Sequence, residues 1–469
     1  MARELTEKDL LHLTQEQAEE IFKQGEEAVI WALLKLSLLA QSKKEISPDL
    51  STPSSQIPPY AKPAAKRGRK KRGREAGHKG EHRRPPLVID RREEHDLRRC
   101  PDCGGPVSPS YDERTRVIED IEKSTVVTTE HTVHSHYCPH CKKRVEPRVT
   151  NALPRSTIGN RALTLTSWLH YGLGQTTSQI AQLLDSLFHF PVTPGGLVQQ
   201  WQRLAEILEP WYDQIADEAR ESAVLNVDET GWRVNGKTHW LWCFTNPRLT
   251  WYHVDPSRSG DVVDEFLRDC FEGTLVSDFF GAYNVVTGER QLCLAHLLRE
   301  LKSVSEMNTT EEWIEFHTNL KRILKDAIRL SRRSDRAAPD YERKVNRIHL
   351  RLDEMISHTA WRDADCLRLL KRLDKHRYAL FTFLDQPDVP FDNNRAEREI
   401  RPAVIARKNF FQNASERGAW TQSVLMTVYR TLKLRDHDPL ETLADALTLF
   451  IATDKLPPLP DAVAPRPPG

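Results

Sequence analysis

Residues 223–231 read AVLNVDETG, an apolar run that leads to a pair of carboxylates. A second run of this kind, GTLVSDF at 273–279, leads to another acid. Short apolar runs bounded by polar residues are typical of buried strands. We therefore expect Asp228 and Asp278 to lie at the ends of two strands in the centre of the fold.

The sequence around these two runs predicts a mixed sheet. The predicted elements are strands at 223–227, 238–245 and 249–254, a helix at 259–271, and strands at 274–277 and 291–294. A turn near Gly236 joins the first two strands into a hairpin. The order β-β-β-α-β-α-β is that of a ribonuclease-H-like sheet, in which the first and fourth strands are neighbours. Their ends would bring Asp228 and Asp278 side by side.

A third acid follows in FDNNRAER at 391–398, where a helix beginning at Asn393 would present Glu397. Carboxylate oxygens are the ligands that magnesium prefers. Two such ions about 4 Å apart can hold the attacking and leaving oxygens of a phosphodiester. The residues alone leave alternatives open, since Glu229 could replace the first Asp, and Glu399 or Asp392 could replace the Glu.

The chain has 469 residues and a net charge of +1. This length implies more than one domain. Between Lys62 and Arg84 there are eleven basic residues and two acidic ones. Such a block predicts a nucleic-acid-binding arm, and the alternative is a solvated flexible linker. The residues we expect to contact DNA in this arm are Lys66, Arg67, Arg69, Lys70, Lys71, Arg72, His78 and Lys79.

Two Cys-x-x-Cys pairs lie within 95–150: Cys100 with Cys103, and Cys138 with Cys141. No apolar segment is long enough for a signal peptide core or a membrane span, so we expect a cytosolic protein with reduced thiols. Two such pairs suit one tetrahedral structural zinc ion. The alternatives are four unrelated thiols or a redox pair.

Helical patterns surround the predicted sheet. The stretch 177–184 and a second helix starting at Pro194 resemble a helix-turn-helix, although an ordinary helical hairpin explains the same pattern. Residues 5–41 predict a helix, either a short dimerising coil or a helix docked on the body. Residues 300–386 are charged and amphipathic, and we interpret them as a helical insertion before the helix that carries Glu397.

These observations predict a multidomain α+β protein: a ribonuclease-H-like mixed β-sheet with flanking helices and a helical insertion, plus an N-terminal helix, a zinc-ribbon-like module and a helix-turn-helix-like region. The expected segments are an N-terminal helix or coil (1–41), a linker with the basic arm (42–94), the zinc module (95–150), the helix-turn-helix-like region (151–218), the first part of the core (219–300), the helical insertion (301–388), the last part of the core (389–434), and a C-terminal helix and tail (435–469).

The ordered set of motifs resembles transposases of the insertion-sequence-66 family, which are DDE-type enzymes. The motifs that carry the resemblance are GHKG at 77–80, the two cysteine pairs, VDET at 227–230, SDFFGAY at 277–283, AH at 295–296, DNNRAER at 392–398, RP at 401–402 and RKN at 407–409. Two features depart from the family pattern: the N-terminal coil is weaker, and the lead-in to GHKG is not rich in Gly and Pro. Neither departure touches the acidic residues.

The resemblance implies a transposase in which Asp228, Asp278 and Glu397 bind two Mg²⁺ (or Mn²⁺) ions. Activated water would hydrolyse the phosphodiester at the transposon end, and the freed 3′-hydroxyl would attack target DNA. The zinc module, the helical pair and the basic arm would recognise the terminal inverted repeats. We further expect His296 near the active site, and DNA-backbone contacts from Arg398, Arg401, Arg407 and Lys408.

The resemblance also implies a homodimer or larger assembly on DNA, with accessory proteins of the same element as further candidate partners, in the bacterial cytoplasm at the nucleoid. Two other functions fit the residues. One is a ribonuclease-H-like nuclease that cuts without joining. The other is a catalytically silent DNA-binding regulator derived from a transposase, although all three acids are present.

Overall fold

The computed structural model describes residues 126–268 and 271–463, together with scattered earlier residues (22–23, 25, 29, 88–89, 92, 99, 101–106, 108, 115 and 117–118). Contacts divide the chain into two units, Met1–Lys62 with Thr129–Gly469, and Pro63–Thr128. Almost all of the predicted N-terminal helix, the linker and the basic arm lie outside the described residues. No helix in the described part is long and apolar enough to cross a membrane.

The structure contains two sheets. The strands are β1 (His136–Cys138), β2 (Lys143–Val145), β3 (Val224–Val234), β4 (Lys237–Thr245), β5 (Thr250–Asp255), β6 (Thr274–Ser277) and β7 (Arg290–Leu292). β1 and β2 form a hairpin, and the other five form a mixed sheet in the order β5-β4-β3-β6-β7.

Helices make up most of the remaining described chain. They are α1 (Asn160–Ser167), α2 (Thr177–Phe188), α3 (Pro194–Arg220), α4 (Gly260–Leu267), α5 (Leu294–Ser305), α6 (Glu311–Ser331), α7 (Pro339–Ser357), α8 (Ala364–Lys375), α9 (Thr382–Asp385), α10 (Asn394–Phe410), α11 (Glu416–Leu434) and α12 (Pro439–Thr453). A π-helical turn, Trp168–Gly172, follows α1, and 3-10 turns cover Gly281–Val285 and Arg377–Ala379.

The predicted neighbours in the sheet are confirmed. β3 and β6, the first and fourth strands of the mixed sheet, pair in parallel, with Val224 to Asn226 opposite Thr274 to Val276. β4 and β5 extend the sheet antiparallel on one side, and β7 extends it parallel on the other. Asp228 lies within β3, and Asp278 directly follows β6. The two acids are therefore carried by adjacent strands, as the sequence predicted.

The predicted end of β3 is wrong. We expected the strand to end at Val227, but it continues through Asp228 to Val234. The reason is the hairpin with β4, which pairs with β3 from Asn226 onward. The hairpin closes through Asn235 and Gly236, both with positive φ (47° and 74°), as a two-residue Asn-Gly turn favours. Asp228 is a mid-strand residue beyond the β6 ladder, whereas Asp278 directly follows its strand.

Two further predictions need correction. The helix expected at 259–271 is α4, which ends at Leu267. The connection from β6 to β7 holds only the 3-10 turn Gly281–Val285, so the β-β-β-α-β-α-β order lacks an α-helix at that point. The shorter connection keeps the residues after Asp278 close to the sheet.

The edge strand β5 is covered by α11. The backbone N–H groups of Thr250, Tyr252 and Val254 donate to side-chain oxygens of Thr431, Thr427 and Ser423, at 3.2, 2.9 and 3.1 Å. The three hydroxyl residues are four apart, so they lie on one face of the helix, and they meet alternate residues of the strand. These hydrogen bonds satisfy backbone N–H groups that an uncovered edge strand would expose.

The described part of the chain has two hydrophobic clusters. One joins the mixed sheet to α1, α2, α3, α4, α10, α11 and α12. The other lies among α5 to α9 and includes Val276 of β6 and Leu292 of β7. The helices after β7 therefore bury their own apolar faces against one another and rest on the end of the sheet that carries Asp278. This arrangement accounts for the long interval between the second and third acids.

Candidate active site

The two aspartates are held by local backbone contacts. Oδ1 of Asp228 accepts the N–H of Glu229 at 2.9 Å, and Oδ1 of Asp278 accepts the N–H of Phe280 at 2.8 Å. Both residues are partly buried. Burial, followed by the charges of Glu229, Asp278 and Glu397, raises the pKa of Asp228 well above its usual range. The charges of Asp278 and Glu397 thus both act on Asp228.

The two candidate glutamates of α10 face different surroundings. Glu397, in the first turn, accepts a hydrogen bond at Oε1 from Nη2 of Arg299 at 2.7 Å and has a side chain 34% exposed. Glu399 is buried and forms an ion pair with Arg430 on the core side. Residues two apart on a helix point in different directions. Glu397 is therefore the more accessible of the two glutamates, and its charge acts on Asp228.

Glu229 is occupied by other partners. Its Oε1 accepts from Nε of Arg258 at 3.0 Å, and Oε2 accepts from the hydroxyl of the buried Tyr283. The guanidinium of Arg258 lies 4.4 Å from the ring centre of Trp240 and 3.9 Å from that of Phe280. Burial and the charge of Asp278 raise the pKa of Glu229 to about 7, against the opposing effect of Arg258 and Tyr283. This acid supports the loop after β6.

Asn393 connects the elements that carry the acids. Its side-chain amide donates to the carbonyl of Val227 at 2.8 Å and its Oδ1 accepts from Nδ2 of Asn226 at 2.9 Å. Its backbone N–H donates to Sγ of Cys293 at 3.2 Å, and its carbonyl accepts from the N–H of Glu397 at 3.1 Å. Asn393 thus links β3, through its buried side chain, to the start of α5 and the first turn of α10, through its backbone.

Asp392, the remaining alternative, caps the start of the helix. Its Oδ1 accepts the N–H of Asn394 at 3.1 Å.

His296, predicted near the active site, lies with Nε2 3.6 Å from Oε1 of Glu397. Burial lowers the pKa of His296, and the charge of Arg299 lowers it further, against the opposing charges of Asp278 and Glu397.

Carboxylates are the ligand type that divalent metal ions prefer. The charges of Glu229, Asp278 and Glu397 each help to raise the pKa of Asp228. A divalent cation would relieve this repulsion through hard oxygen ligands. Within the described residues, no three His, Cys, Asp or Glu side chains stand together as a metal-binding group. Glu397 is paired with Arg299.

The predicted DNA-contacting residues of α10 divide into two groups. Arg398, Arg401 and Lys408 are exposed. Arg407 instead donates to the hydroxyl of Thr230 at 3.1 Å and to the carbonyl of Gly231. Arg407 therefore ties α10 to β3, a structural contact that occupies its guanidinium. The basic-arm residues from Lys66 to Lys79 lie outside the part of the chain that the structure describes.

The second cysteine pair forms a tight turn. Cys138 ends β1 and Cys141 lies in the turn before β2. The backbone N–H of Cys141, its thiol and the N–H of His140 hold the pKa of Cys138 below its ordinary value. Amides directed at a sulfur stabilise a thiolate, the form that binds zinc.

The first cysteine pair is described only in part. Within residues 63–128, a turn at 101–103 is closed by a bridge between Arg99 and Pro106, and Cys103 is exposed. Cys100 lies outside the described residues. The zinc assignment of the four cysteines remains a prediction.

The predicted helical pair is present as α2 and α3. Thr193 caps α3 through its side chain, which accepts from Gly196 N–H at 3.2 Å, and Pro194 occupies the first turn. α3 then continues to Arg220 and buries Trp201 and Trp211 in the main core. One face of this helix is therefore part of the core, while its first turn and its outer face, including Glu206 and Asp213, are exposed.

Several residues of the site were missed by the sequence reasoning. Arg299 follows His296 by three positions, so the two residues lie on the same face of α5. This spacing could have predicted that Arg299 lies near the site together with His296. The roles of Asn226, Arg258 and Tyr283 depend on contacts between distant segments, and no local pattern indicates them.

Comparison with known proteins identifies the family of the chain. The family model described as "Transposase IS66 family" matches residues 155–421. This segment is more than half of the chain and includes the mixed sheet, helices α5 to α10 and the residues Asp228, Asp278 and Glu397. The chain therefore belongs to the IS66 family of transposases, as the motifs predicted.

Similar proteins occur in Sinorhizobium fredii (strain NBRC 101917 / NGR234). "Uncharacterized protein y4qI" is 29% identical over 288 residues, covering 54% of this chain and 52% of its own. "Uncharacterized protein y4jD" is 25% identical over 280 residues, covering 53% and 54%. "Uncharacterized protein y4hP" is 23% identical over 391 residues, covering 74% and 70%. The chain spans about half the length of the first two relatives.

Proposed function

We propose that this protein is a DDE transposase that cuts DNA at the ends of a mobile element and joins the freed 3′-hydroxyls to target DNA. The observation that carries the proposal is the electrostatic interaction of Asp228 on β3 with Asp278 after β6 and with Glu397 on α10. The strand order is that of a ribonuclease-H-like sheet, and membership of the IS66 family supports the same chemistry.

The three acids would hold two Mg²⁺ or Mn²⁺ ions. When bound, such ions supply activation of the attacking oxygen and stabilisation of the leaving oxygen. The chain itself positions the ligands. Asn393 holds the start of α10 against β3, and Phe280 N–H orients Asp278. Glu229 stays with Arg258, so it leaves the first ligand position to Asp228.

DNA would lie along the exposed side of α10. Arg398, Arg401 and Lys408 are exposed there, and basic side chains at such positions contact phosphates without reading sequence. We further propose that the basic arm, the helical pair and a zinc module recognise the terminal inverted repeats. The working form would be a dimer or larger assembly on DNA, with accessory proteins of the same element as candidate partners.

The test is a cleavage and joining assay in Mg²⁺ with duplexes carrying the DNA that flanks the coding sequence. We expect the wild type to nick these ends and to join pre-cleaved ends to a plasmid. Asp228→Asn, Asp278→Asn and Glu397→Gln should each lower both rates about a hundredfold or more, the scale of losing one preorganised charge-stabilising group, and leave end binding intact.

The matched control is Asp445→Asn, an exposed residue of α12 far along the chain from the acids, which should keep full activity. Cleavage without joining would show a nuclease and contradict strand transfer. End binding without cleavage by the wild type would identify a DNA-binding regulator. Cleavage that survives Asp228→Asn would overturn the assignment of the acids.

A further inference from the structure

An exposed aromatic side chain stands at the end of α10. Phe411 directly follows the last residue of the helix and is 72% exposed. Its neighbour Phe410 has the opposite environment, because its ring stacks on that of His170, with 4.6 Å between the ring centres, and packs against the main core. One exposed apolar side chain is ordinary in a protein, but the backbone at Phe411 is not.

Phe411 lies at the centre of a strained turn. Its backbone has φ 65° and ψ −45°. The N–H of Gln412 donates to the carbonyl of Phe410 at 2.7 Å, which closes a γ-turn around Phe411. A γ-turn with positive φ is rare and strained, and a bulky residue in this region is a conformational outlier. Such outliers cluster at functional sites.

Hydrogen bonds fix this turn against the hairpin of β3 and β4. Oε1 of Gln412 accepts the N–H of Gly236 at 2.8 Å. The N–H of Asn413 donates to the carbonyl of Arg233 at 3.0 Å. The exposed ring of Phe411 is therefore carried by an anchored backbone, and a side chain on a rigid support loses little freedom when it packs on a partner.

The surface that leads along α10 to this turn, and the hairpin beside it, carry positive charge. Five basic side chains are exposed on these two elements: Arg398, Arg401, Lys408, Arg233 and Lys237. The three on α10 are spaced by three and seven residues, so they lie on one face of the helix. Among the described residues, none of the five has an ion-pair partner. This charge favours a polyanion over a protein surface as the partner of Phe411.

We propose that Phe411 is a stacking residue, which packs on a base of the bound DNA while the basic side chains hold the phosphates. The inference rests on the proposed function and deepens it by adding a contact to a base. Aromatic side chains stack on the faces of bases in any sequence, and an apolar wedge can open a base step.

The geometry of α10 predicts which base is contacted. A helix rises about 1.5 Å per residue, so Phe411 lies about 21 Å along α10 from Glu397. Base pairs are about 3.4 Å apart, so DNA that follows the helix would bring Phe411 to a base about six steps from the phosphate at the acids.

The test is a fluorescence scan of the full chain bound, without divalent metal, to duplexes from the flanks of the gene. Each duplex carries 2-aminopurine at one position, and the fluorescence of this base rises when it loses a stacked neighbour. We expect a rise about six base pairs from the cleavage site. Phe411→Ala should remove the rise and weaken end binding about tenfold, the scale of losing one aromatic–base stack. Phe411→Trp should restore both.

Two controls separate stacking from other effects. Tyr378→Ala removes an aromatic side chain that is 86% exposed elsewhere and should leave the rise unchanged and the affinity within about twofold of the wild type. Lys408→Gln should weaken binding, lower the slope of affinity against salt by about one, and keep the rise once the DNA is saturated. Phe411→Ala should keep the wild-type salt slope, because stacking releases no counterions.

A rise that survives Phe411→Ala, or a rise at a different distance from the cleavage site, would overturn the inference. So would a loss of oligomers in sedimentation of Phe411→Ala with the rise intact, which would identify a contact between protein chains. A wild type that binds and cleaves the ends without any rise contradicts only the stacking. A wild type that neither binds nor cleaves them contradicts the proposed function, and the stacking with it.

Discussion

Asn393 offers a sharp test of how the acids are held together. Its side chain is 1% exposed and makes two hydrogen bonds to β3, to the carbonyl of Val227 at 2.8 Å and from the amide of Asn226 at 2.9 Å. Asn393→Ala leaves both groups buried without partners. Each unsatisfied buried group costs about 1–3 kcal/mol, so we expect a loss of about 3 kcal/mol in the free energy of unfolding.

Urea unfolding followed by tryptophan fluorescence measures this loss. The control is Asn394→Ala, an exposed neighbour in the same helix turn, which should change stability by less than about 0.5 kcal/mol. In an Asn226→Ala background, Asn393→Ala should cost about 1 kcal/mol less, because one of its partners is already absent. A loss below about 0.5 kcal/mol, or strict additivity, would refute the reasoning.

The remaining predictions concern His170 and the cysteine turn. Burial lowers the pKa of His170 to about 4, against its hydrogen bond with the carbonyl of Gln175. The unfolded state therefore binds more protons between about 6.5 and about 4, and stability should fall by about 3 kcal/mol as the pH falls through this range. His170→Gln should remove that part of the pH dependence in urea unfolding, and an unchanged slope would contradict the assignment. Elemental analysis should find zinc in the wild type and none in Cys138→Ser or Cys141→Ser. The control Cys366→Ala, which removes a buried thiol, should bind as much zinc as the wild type. Zinc retained by Cys138→Ser and Cys141→Ser would exclude a zinc site at this cysteine pair.

Local patterns predicted the elements that carry the acids. The apolar runs before Asp228 and Asp278 gave two adjacent strands, since strand order constrains which strands pair. The Asn-Gly turn and the start of α10 were also predictable, because turn and cap preferences act over a few residues. The end of β3 was not predictable. The strand continues past Asp228 and Glu229 because it pairs with β4 over a long stretch.

The details of the site depend on contacts between distant segments. Helical spacing shows that Glu397 and Glu399 face different ways, but only the packing of α10 on β3 decides which one is the more accessible. The partner of Glu397 is 98 residues away in the sequence, beyond the helices that follow β7. The contacts of Glu229 with Arg258 and Tyr283 likewise depend on tertiary packing. Local sequence patterns do not predict them.

The central claim is that Asp228, Asp278 and Glu397 form one metal site. Anomalous diffraction from crystals of the full chain with Mn²⁺ and end DNA tests it most directly. We predict two peaks about 4 Å apart, with Asp228, Asp278 and Glu397 as the ligands. Peaks that exclude Asp228, or peaks bound by Glu229 or Glu399 in place of the predicted acids, would contradict the account.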